Sequence, residues 1–371
     1  MRRTITTGDP MHNRTSGNRA IPKLVIAGLV LLVLLLGGYT AYWFTVAAQL
    51  KAGVEDWAAY QRAQGNQVQF VWDGIEGFPF AFKARFQQPQ LLLKGPAGAF
   101  DWSSGFLGAE MPPWDLQTVS FSSPAQQVAR LRRDGQAGEW RLIAAAGIDG
   151  TLSYAANGAL RELQMTLRMP DVTRPDGAAL AAGEAGFRVL MPDVAPRDYT
   201  EPFATIEGEV TKLLLPDGTR VVTADPVEKL AFNAVINGPI SVPVDYGMAP
   251  PLTEILAGWR DRGGDIVVKS FTFAQGPLTM GGEATLALDP DLQPLGAGTV
   301  TATGLSETVE ILLHDGLIPA ERAQLARSTA QALERLGESG KKEAKFALSL
   351  QNRVVSFGPV PLFTLAPIDW Q

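Results

Sequence analysis

The sequence predicts a mainly β protein: one or more long curved antiparallel sheets, or a sandwich, with a few helices, preceded by a single N-terminal transmembrane helix. Three observations carry this reading. Residues 24–50 are uncharged, and the strongly apolar part, 24–44, is 21 residues long. Further on, Phe80, Phe82, Ala84 and Phe86 alternate with Ala81, Lys83, Arg85 and Gln87, the period of two that puts rings on one face of a strand and charges on the other. Finally, seven Asx-Gly pairs fall between residues 73 and 238, the dipeptide that tight hairpin turns favour.

Composition narrows the chemistry. The chain has 371 residues, 46% of them hydrophobic and 19% charged, with 38 glycines and 26 prolines. It has no cysteine and two histidines, so disulfides, thiolate zinc sites, iron-sulfur clusters, thiol nucleophiles and multi-histidine metal sites are excluded. No cofactor, metal ligand set or catalytic residue is expected. The net charge of −6 divides unevenly: Arg2, Arg3, Arg14, Arg19 and Lys23 against Asp9 leave plus four on residues 1–23, and so minus ten on the remainder. Nucleic acid is disfavoured as a partner by that acidic bulk.

Taken in order, residues 1–23 read as a basic cytoplasmic stub and 24–48 as a transmembrane signal anchor. As a helix, 21 residues extend about 32 Å at 1.5 Å per residue, enough for a hydrocarbon core of about 30 Å. Leu24, Val25, Leu31, Leu34, Leu36 and Phe44 are anchor residues, as are Tyr39, Tyr42 and Trp43, which mark the far headgroup zone. The basic flank makes the N-terminus cytoplasmic and the bulk periplasmic, in a bacterial inner membrane. The competing reading is a cleaved signal peptide ending at Val46-Ala47-Ala48; a secretory apolar region is usually only about 7 to 15 residues, which favours the retained anchor. Residues 49–65 form a stalk helix with Leu50, Val54, Trp57, Ala58 and Gln61 on one stripe and Gly65 as its stop.

Residues 66–371 are the β-rich region, with a soft boundary near 200–245. Hairpin turns are expected at Asp73-Gly74, Asp134-Gly135, Asp149-Gly150, Asn157-Gly158, Asp176-Gly177, Asp217-Gly218 and Asn237-Gly238, whereas Asp315-Gly316 suits a helix end. Ile266, Val268, Phe271 and Phe273, then Leu286 and Leu288, are further strand signals. A weak echo of Met-Pro-Asp-Val at 169–172 and 191–194, with Leu-Pro-Asp at 215–217, has the spacing of a hairpin. Leu252, Ile255, Leu256 and Trp259 are spaced as a short helix ended by Gly263-Gly264. Residues 306–337 read as a helical hairpin closed by Gly337 and Gly340, and strands over 344–350 and 353–357 complete the chain.

Candidate chemistry is sparse. His314 sits at a helix end beside Asp315 and reads as structural. Gly296-Ala297-Gly298 lacks the third glycine of a dinucleotide fingerprint and reads as a hairpin loop, and residues 337–342 imitate a phosphate loop with the wrong spacing. Glu55-Asp56 and Asp289-Pro290-Asp291 are acidic pairs of the kind glycoside hydrolysis uses, but solvated loops explain them better. Trp102, Trp114 and Trp140 suit sheet ends more than sugar stacking.

The stretch Gly74-Ile75-Glu76-Gly77-Phe78-Pro79-Phe80 leads into an aromatic strand. Together with Trp57, Gly258-Trp259-Arg260-Asp261-Arg262-Gly263-Gly264, Gly276-Pro277-Leu278 and Leu286-Ala287-Leu288-Asp289, it resembles a bacterial envelope family catalogued as domain of unknown function 2125. The resemblance runs from the anchor to Pro361 and carries over no activity. More loosely, the chain is similar to AsmA-like inner-membrane proteins, a resemblance that implies a curved sheet holding lipid tails.

A long antiparallel sheet with one apolar face must cover it with a second sheet, helices or a ligand. The leading expectation is therefore a membrane-anchored, non-enzymatic protein of the cell envelope that binds or conveys lipid, with Phe80, Phe82, Phe86, Phe271, Phe273, Leu286 and Leu288 as acyl-chain contacts. The bilayer, lipid acyl chains and envelope proteins are the expected partners. The alternative is a closed-core scaffold or interaction module, and the third reading is a glycan-acting enzyme of the cell wall.

Overall fold

The computed structural model describes residues 20–95, 98–133, 135, 137–216, 225–240, 251–335 and 343–370. Outside them fall residues 1–19 of the basic stub, the pair Asp217-Gly218, Asp134 and the 337–342 loop; the side chains of residues 20–24, Leu24 included, are likewise undescribed.

Helix α1 spans Ala20–Ala63 without a break, so the expected anchor and stalk are one helix of 44 residues. Its aliphatic stretch is exposed throughout, and α1 is long and apolar enough to cross a membrane. From Trp43 the helix docks on the folded region through one stripe, with Trp43, Ala47 and Ala58 buried and Leu50 and Val54 half-buried. Trp57, expected on that stripe, is 46% exposed; Ala58, one residue on, takes the buried position. Gly65 adopts φ 82° and the Asn66 N–H bonds back to the Gln61 carbonyl at 3.1 Å, which ends the helix where expected.

Every described strand after α1 belongs to one large open antiparallel sheet, and strand far outweighs helix among the described residues. Its first strands are β1 (Gln67–Val71), β2 (Ile75–Glu76), β3 (Phe82–Gly95), β4 (Gly98–Ser104), β5 (Phe106–Met111), β6 (Thr118–Ser123) and β7 (Gln127–Arg132). They are followed by β8 (Trp140–Ala144), β9 (Ile148–Tyr154), β10 (Leu160–Arg168), β11 (Pro170–Thr173), β12 (Ala179–Ala181) and β13 (Glu184–Leu190). The second half holds β14 (Pro202–Leu213), β15 (Val227–Asn237), β16 (Ile266–Gln275), β17 (Leu278–Leu288), β18 (Pro294–Thr303), β19 (Glu343–Gln351), β20 (Val354–Phe357) and β21 (Val360–Thr364).

The ladders show a meander whose early strands are bent. One half of β3 pairs with β5 and the other with β4; β6 and β7, β9 and β8, then β10 and β11 repeat the division. Each bend interrupts the ladder, at Gln88 (φ 45°), Gly105, Pro124, Gly147 and Met169 (φ 49°) in turn. Gly147 is required there: its φ is 96°, and a Cβ would lie 2.0 Å from the Ser123 carbonyl oxygen. Buried polar side chains replace the lost backbone bonds. Gln127 Nε2 donates to Ser104 Oγ at 2.7 Å, Ser123 Oγ at 2.8 Å and the Ala125 carbonyl at 2.8 Å.

From β13 onward the strands are simple neighbours, β13–β14–β15–β16–β17–β18–β19–β20–β21. Through residues 200–245 the described sheet is continuous: β13 pairs with β14, β14 with β15 and β15 with β16. The proline echo is not a structural repeat: Pro170 opens β11 inside a bent strand, whereas Pro192 and Pro216 follow strand ends. Asn157-Gly158 and Asp176-Gly177 are turns as expected, but Asp149-Gly150 is not. Gly150 lies within β9, where a Cβ would meet the Phe121 ring at 2.5 Å. Gly296-Ala297-Gly298 is likewise not a hairpin loop; it is inside β18, and a Cβ on Gly296 would lie 2.1 Å from the Thr285 carbonyl oxygen. In both places glycine permits close strand contact, not a turn.

Among the described residues, three further α-helices close the ends of the strands. Helix α2 (Leu252–Asp261) buries Trp259 and places Arg260 on the Asp289 and Pro290 carbonyls at 3.0 and 2.9 Å. At the opposite strand ends, α3 (Leu305–His314) and α4 (Ala323–Arg335) form the expected hairpin above the region where Ala302 and Ala344 are fully buried. Buried Glu334 accepts from the Ser306 N–H and hydroxyl at 2.9 and 2.7 Å, and Arg327 grips Glu310 with two bonds of 2.7 and 2.9 Å.

Hydrogen bonding from Arg327 holds the Glu310 carboxyl below its usual pKa. A depressed folded-state pKa means the contribution is complete above the unfolded value and is lost as pH falls through the lowered one. Acidification through that window is therefore expected to lower the amide protection factors of α3 and α4, exchange being corrected for its intrinsic dependence on pH, and modestly because the pair is exposed. Arg327→Gln is expected to remove this pH dependence in hydrogen-exchange mass spectrometry; an unchanged profile would assign it to other groups.

Candidate functional site

Directly paired residues in an antiparallel ladder share a face, so the register determines how far the apolar face extends. It begins at α1, where Phe82, Ala84 and Phe86 of β3 oppose Met111, Ala109 and Leu107 of β5. It continues through Phe121 (β6), Gly150 (β9), Met165 (β10) and Phe187 (β13). Phe187 opposes Gly208, which opposes Phe232, which opposes Phe271; beyond them come Gly282, Val300 and Phe346. Phe357 and Val355 of β20 and Phe363 of β21 finish it. The row crosses fourteen strands, about 62 Å at a spacing of about 4.8 Å.

Aromatic rings on this face lie over neighbouring glycines. A Cβ added to Gly150 would fall 2.5 Å from Phe121, one on Gly208 would fall 2.4 Å from Phe232, and one on Gly282 would fall 2.9 Å from Phe271. Glycine opposite phenylalanine lets the ring lie along the sheet instead of standing from it, as in aromatic rescue of strand glycines. The face stays apolar without being filled by its own side chains.

The opposite face is charged. Arg188 pairs with Glu162 at 2.6 Å and Glu207 at 3.7 Å, Lys229 with Glu209 at 3.0 Å, and Lys83 with Glu110 at 3.1 Å. A depression of about 410 Å³ lies on this charged side between Gln164, Arg188, Glu207 and Asn233, and its charged groups pair with one another. A smaller hollow of about 150 Å³ lies on the apolar face, lined by Phe271, Leu286, Gly296, Val300, Leu348 and Val355. It is the more informative of the two because its walls are almost entirely hydrocarbon.

Coverage of the apolar face is partial. α1 covers its beginning, where Trp43 stacks on Phe82 with ring centroids 5.1 Å apart, and Val46, Leu50, Ile75 and Met111 complete that cluster. α2 and the α3–α4 hairpin sit at strand ends. Between them Phe187, Phe271, Leu348 and Val355 are half-buried and Phe232 is 43% exposed.

Most of the expected contact residues share this face. Phe271, Phe273, Leu286 and Leu288 lie together on β16 and β17; a bulge at Lys269 keeps Val268 and Phe271 on one side despite their odd spacing. Phe86 is on the face and packs on Phe70 and Trp72 at 5.2 and 5.3 Å. Phe82 is on it too but is covered by Trp43. Phe80 is not: it lies in the turn before β3, 74% exposed, because the strand starts two residues later than the alternation implies. Reading the sequence missed Phe121, Phe187 and Phe232, although the alternation of Leu230, Phe232 and Ala234 with Ala231 and Asn233 was available as a signal.

Among the anchor residues, Val25, Leu31, Leu34 and Leu36 are exposed along α1. Trp43, expected in a headgroup belt, is only 3% exposed and faces Phe82. Tyr39 donates to the Pro79 carbonyl and Tyr42 to the Pro113 carbonyl, the latter at 2.7 Å, while Phe44 stacks on Phe78 at 5.6 Å. Glu55 and Asp56 are exposed on α1, and Asp289 caps its own turn by accepting from the Asp291 and Gln293 N–H groups. Trp114 is 74% exposed in a loop beside α1, and Arg174 lies 6.0 Å over Trp140.

A family model described as "Uncharacterized protein conserved in bacteria (DUF2125)" matches residues 43–366. No curated protein and no solved structure matches the chain, so the likeness to AsmA-like proteins gains no support from them.

Proposed function

The chain belongs to the DUF2125 family of bacterial proteins, and we propose that it is a non-enzymatic, membrane-anchored protein of the cell envelope whose apolar sheet face binds or conveys lipid acyl chains. In this reading α1 crosses the inner membrane, with its basic end cytoplasmic and the sheet periplasmic. The observation that carries the proposal is continuity: the apolar row starts where α1 docks, at Trp43 and Phe82, and extends about 60 Å away across strands spaced about 4.8 Å apart. An acyl chain occupies about half of a 30 Å hydrocarbon core, so several chains fit along the row. Each CH₂ withdrawn from water contributes about 0.8 kcal/mol.

A photoreactive amino acid at Phe232, in the full-length chain in cells, is expected to yield lipid adducts detectable by mass spectrometry. The same group at Thr272, on the charged side, is expected to yield none. Lipid adducts at Leu31 without any at Phe232 would leave the anchor and remove the groove. The interaction-module reading keeps one supporting observation: β21 is an exposed edge strand, with Val360, Leu362 and Phe363 each more than half exposed, which suits addition of a partner strand.

A further inference from the structure

Two loops of the β region are tied to α1 at the level where its apolar stretch ends. Tyr39 bonds the Pro79 carbonyl in the Phe78-Pro79-Phe80 turn, and Tyr42 bonds the Pro113 carbonyl in the loop carrying Trp114 and Leu116. Counted from Lys23 at 1.5 Å per residue, Tyr39 lies about 24 Å and Trp43 about 30 Å along the helix, against a hydrocarbon core of about 30 Å. The carbonyls that Tyr39 and Tyr42 hold therefore lie at the core's outer edge. Beside them, Phe78 is 47%, Phe80 74%, Trp114 74% and Leu116 44% exposed. Residues 77–81 and 112–117 contain one charge, Asp115, whose carboxylate is turned back on the Gln117 N–H at 3.0 Å.

We infer that the 78–80 turn and the 112–116 loop are seated in the headgroup region of the bilayer, so that Phe78, Phe80, Trp114 and Leu116 form a collar around the emerging helix. Amphipathic and aromatic rings favour that zone, and exposed apolar side chains concentrated on two loops mark an interaction surface. The collar explains why the large rings of Phe80 and Trp114 stand so far exposed. It also fixes the sheet's pose: β3 begins and β5 ends at the membrane surface, so the apolar row opens onto the bilayer. The inference rests on α1 being a membrane span.

The chain lacks cysteine, so single spin labels can be placed cleanly in the full-length protein reconstituted in phosphatidylcholine–phosphatidylglycerol nanodiscs. Labels at Phe80→Cys and Trp114→Cys are expected to show collision ratios for oxygen over a water-soluble nickel chelate several-fold above that of Asp176→Cys, in the exposed turn after β11 at the opposite end of the bent strands. They are expected to lie below that of Leu31→Cys in the middle of the span. Ratios equal to that of Asp176, or shielding from both reagents as a protein partner would produce, overturn the collar while leaving the span intact. A Leu31 label that reads as aqueous overturns the span and the collar together.

Discussion

Phe232→Asp combined with Leu230→Asp is expected to abolish lipid retention by the full-length protein while leaving the sheet folded. The two residues are 43% and 38% exposed on the apolar face, at the middle of the row, and oppose Phe271 and Phe273 on β16. An acyl chain crossing that point would bring its CH₂ groups against two carboxylates. Losing four CH₂ contacts at about 0.8 kcal/mol each is about 3 kcal/mol, on the order of a hundredfold in affinity. The cost to the fold is smaller, because both side chains are more than a third exposed and a cross-strand pair contributes about 0.2 to 1 kcal/mol. Native mass spectrometry of the detergent-extracted protein, before and after phospholipid exchange, reads the first quantity, and urea unfolding reads the second. Undiminished lipid in the double variant would place the lipid elsewhere or remove it from the proposal.

Gly264→Ala is expected to destabilise the sheet almost as much as Trp259→Ala, and the two changes together are expected to cost much less than their sum. Trp259 is 4% exposed and donates its indole N–H to the Asn237 carbonyl at 2.8 Å, pinning α2 to the end of β15. A Cβ on Gly264 would lie 2.2 Å from the indole ring, too close for any rotamer adjustment short of moving the ring or the chain. Truncating a buried tryptophan costs about 3 to 5 kcal/mol, and displacing it forfeits most of the same packing. Residues competing for one space are non-additive, so a double-mutant cycle by denaturant unfolding is expected to show coupling of about 1 to 3 kcal/mol. Additive effects would mean that Gly264 acts through its backbone instead of through Trp259.

These two sites differ in how far they were legible in advance. The segment 258–264 declared a helix ended by paired glycines, but that Gly264 makes room for Trp259 is visible only once the chain has turned back on itself. The apolar face was half legible. Phe271, Phe273, Leu286 and Leu288 announced themselves by alternation, whereas Phe121 and Phe187 sit in short strands among glycine and serine, where a period of two has little length in which to show. Glycine misled twice for one reason: at Gly150 and Gly296 it serves a close approach between strands, and dipeptide chemistry alone does not separate that use from a positive-φ turn. Phe80 continued an alternation that the backbone does not continue, because the 78–80 turn precedes the strand.

The sequence by itself determined an N-terminal helix long and apolar enough to cross a membrane, an antiparallel meander punctuated by turns, and late helices around 252–259 and within 306–337, since each follows from local periodicity, charge or turn chemistry within a short window. Tertiary structure alone decided that the meander is one open sheet instead of a closed sandwich, that its early strands bend at Gln88, Gly147 and Met169, and that the apolar side chains of fourteen strands join into one row starting at Trp43. The physical reason is that alternation tells which residues of a strand share a face, whereas pairing register, strand twist and the docking of helices decide which faces meet and whether anything covers them.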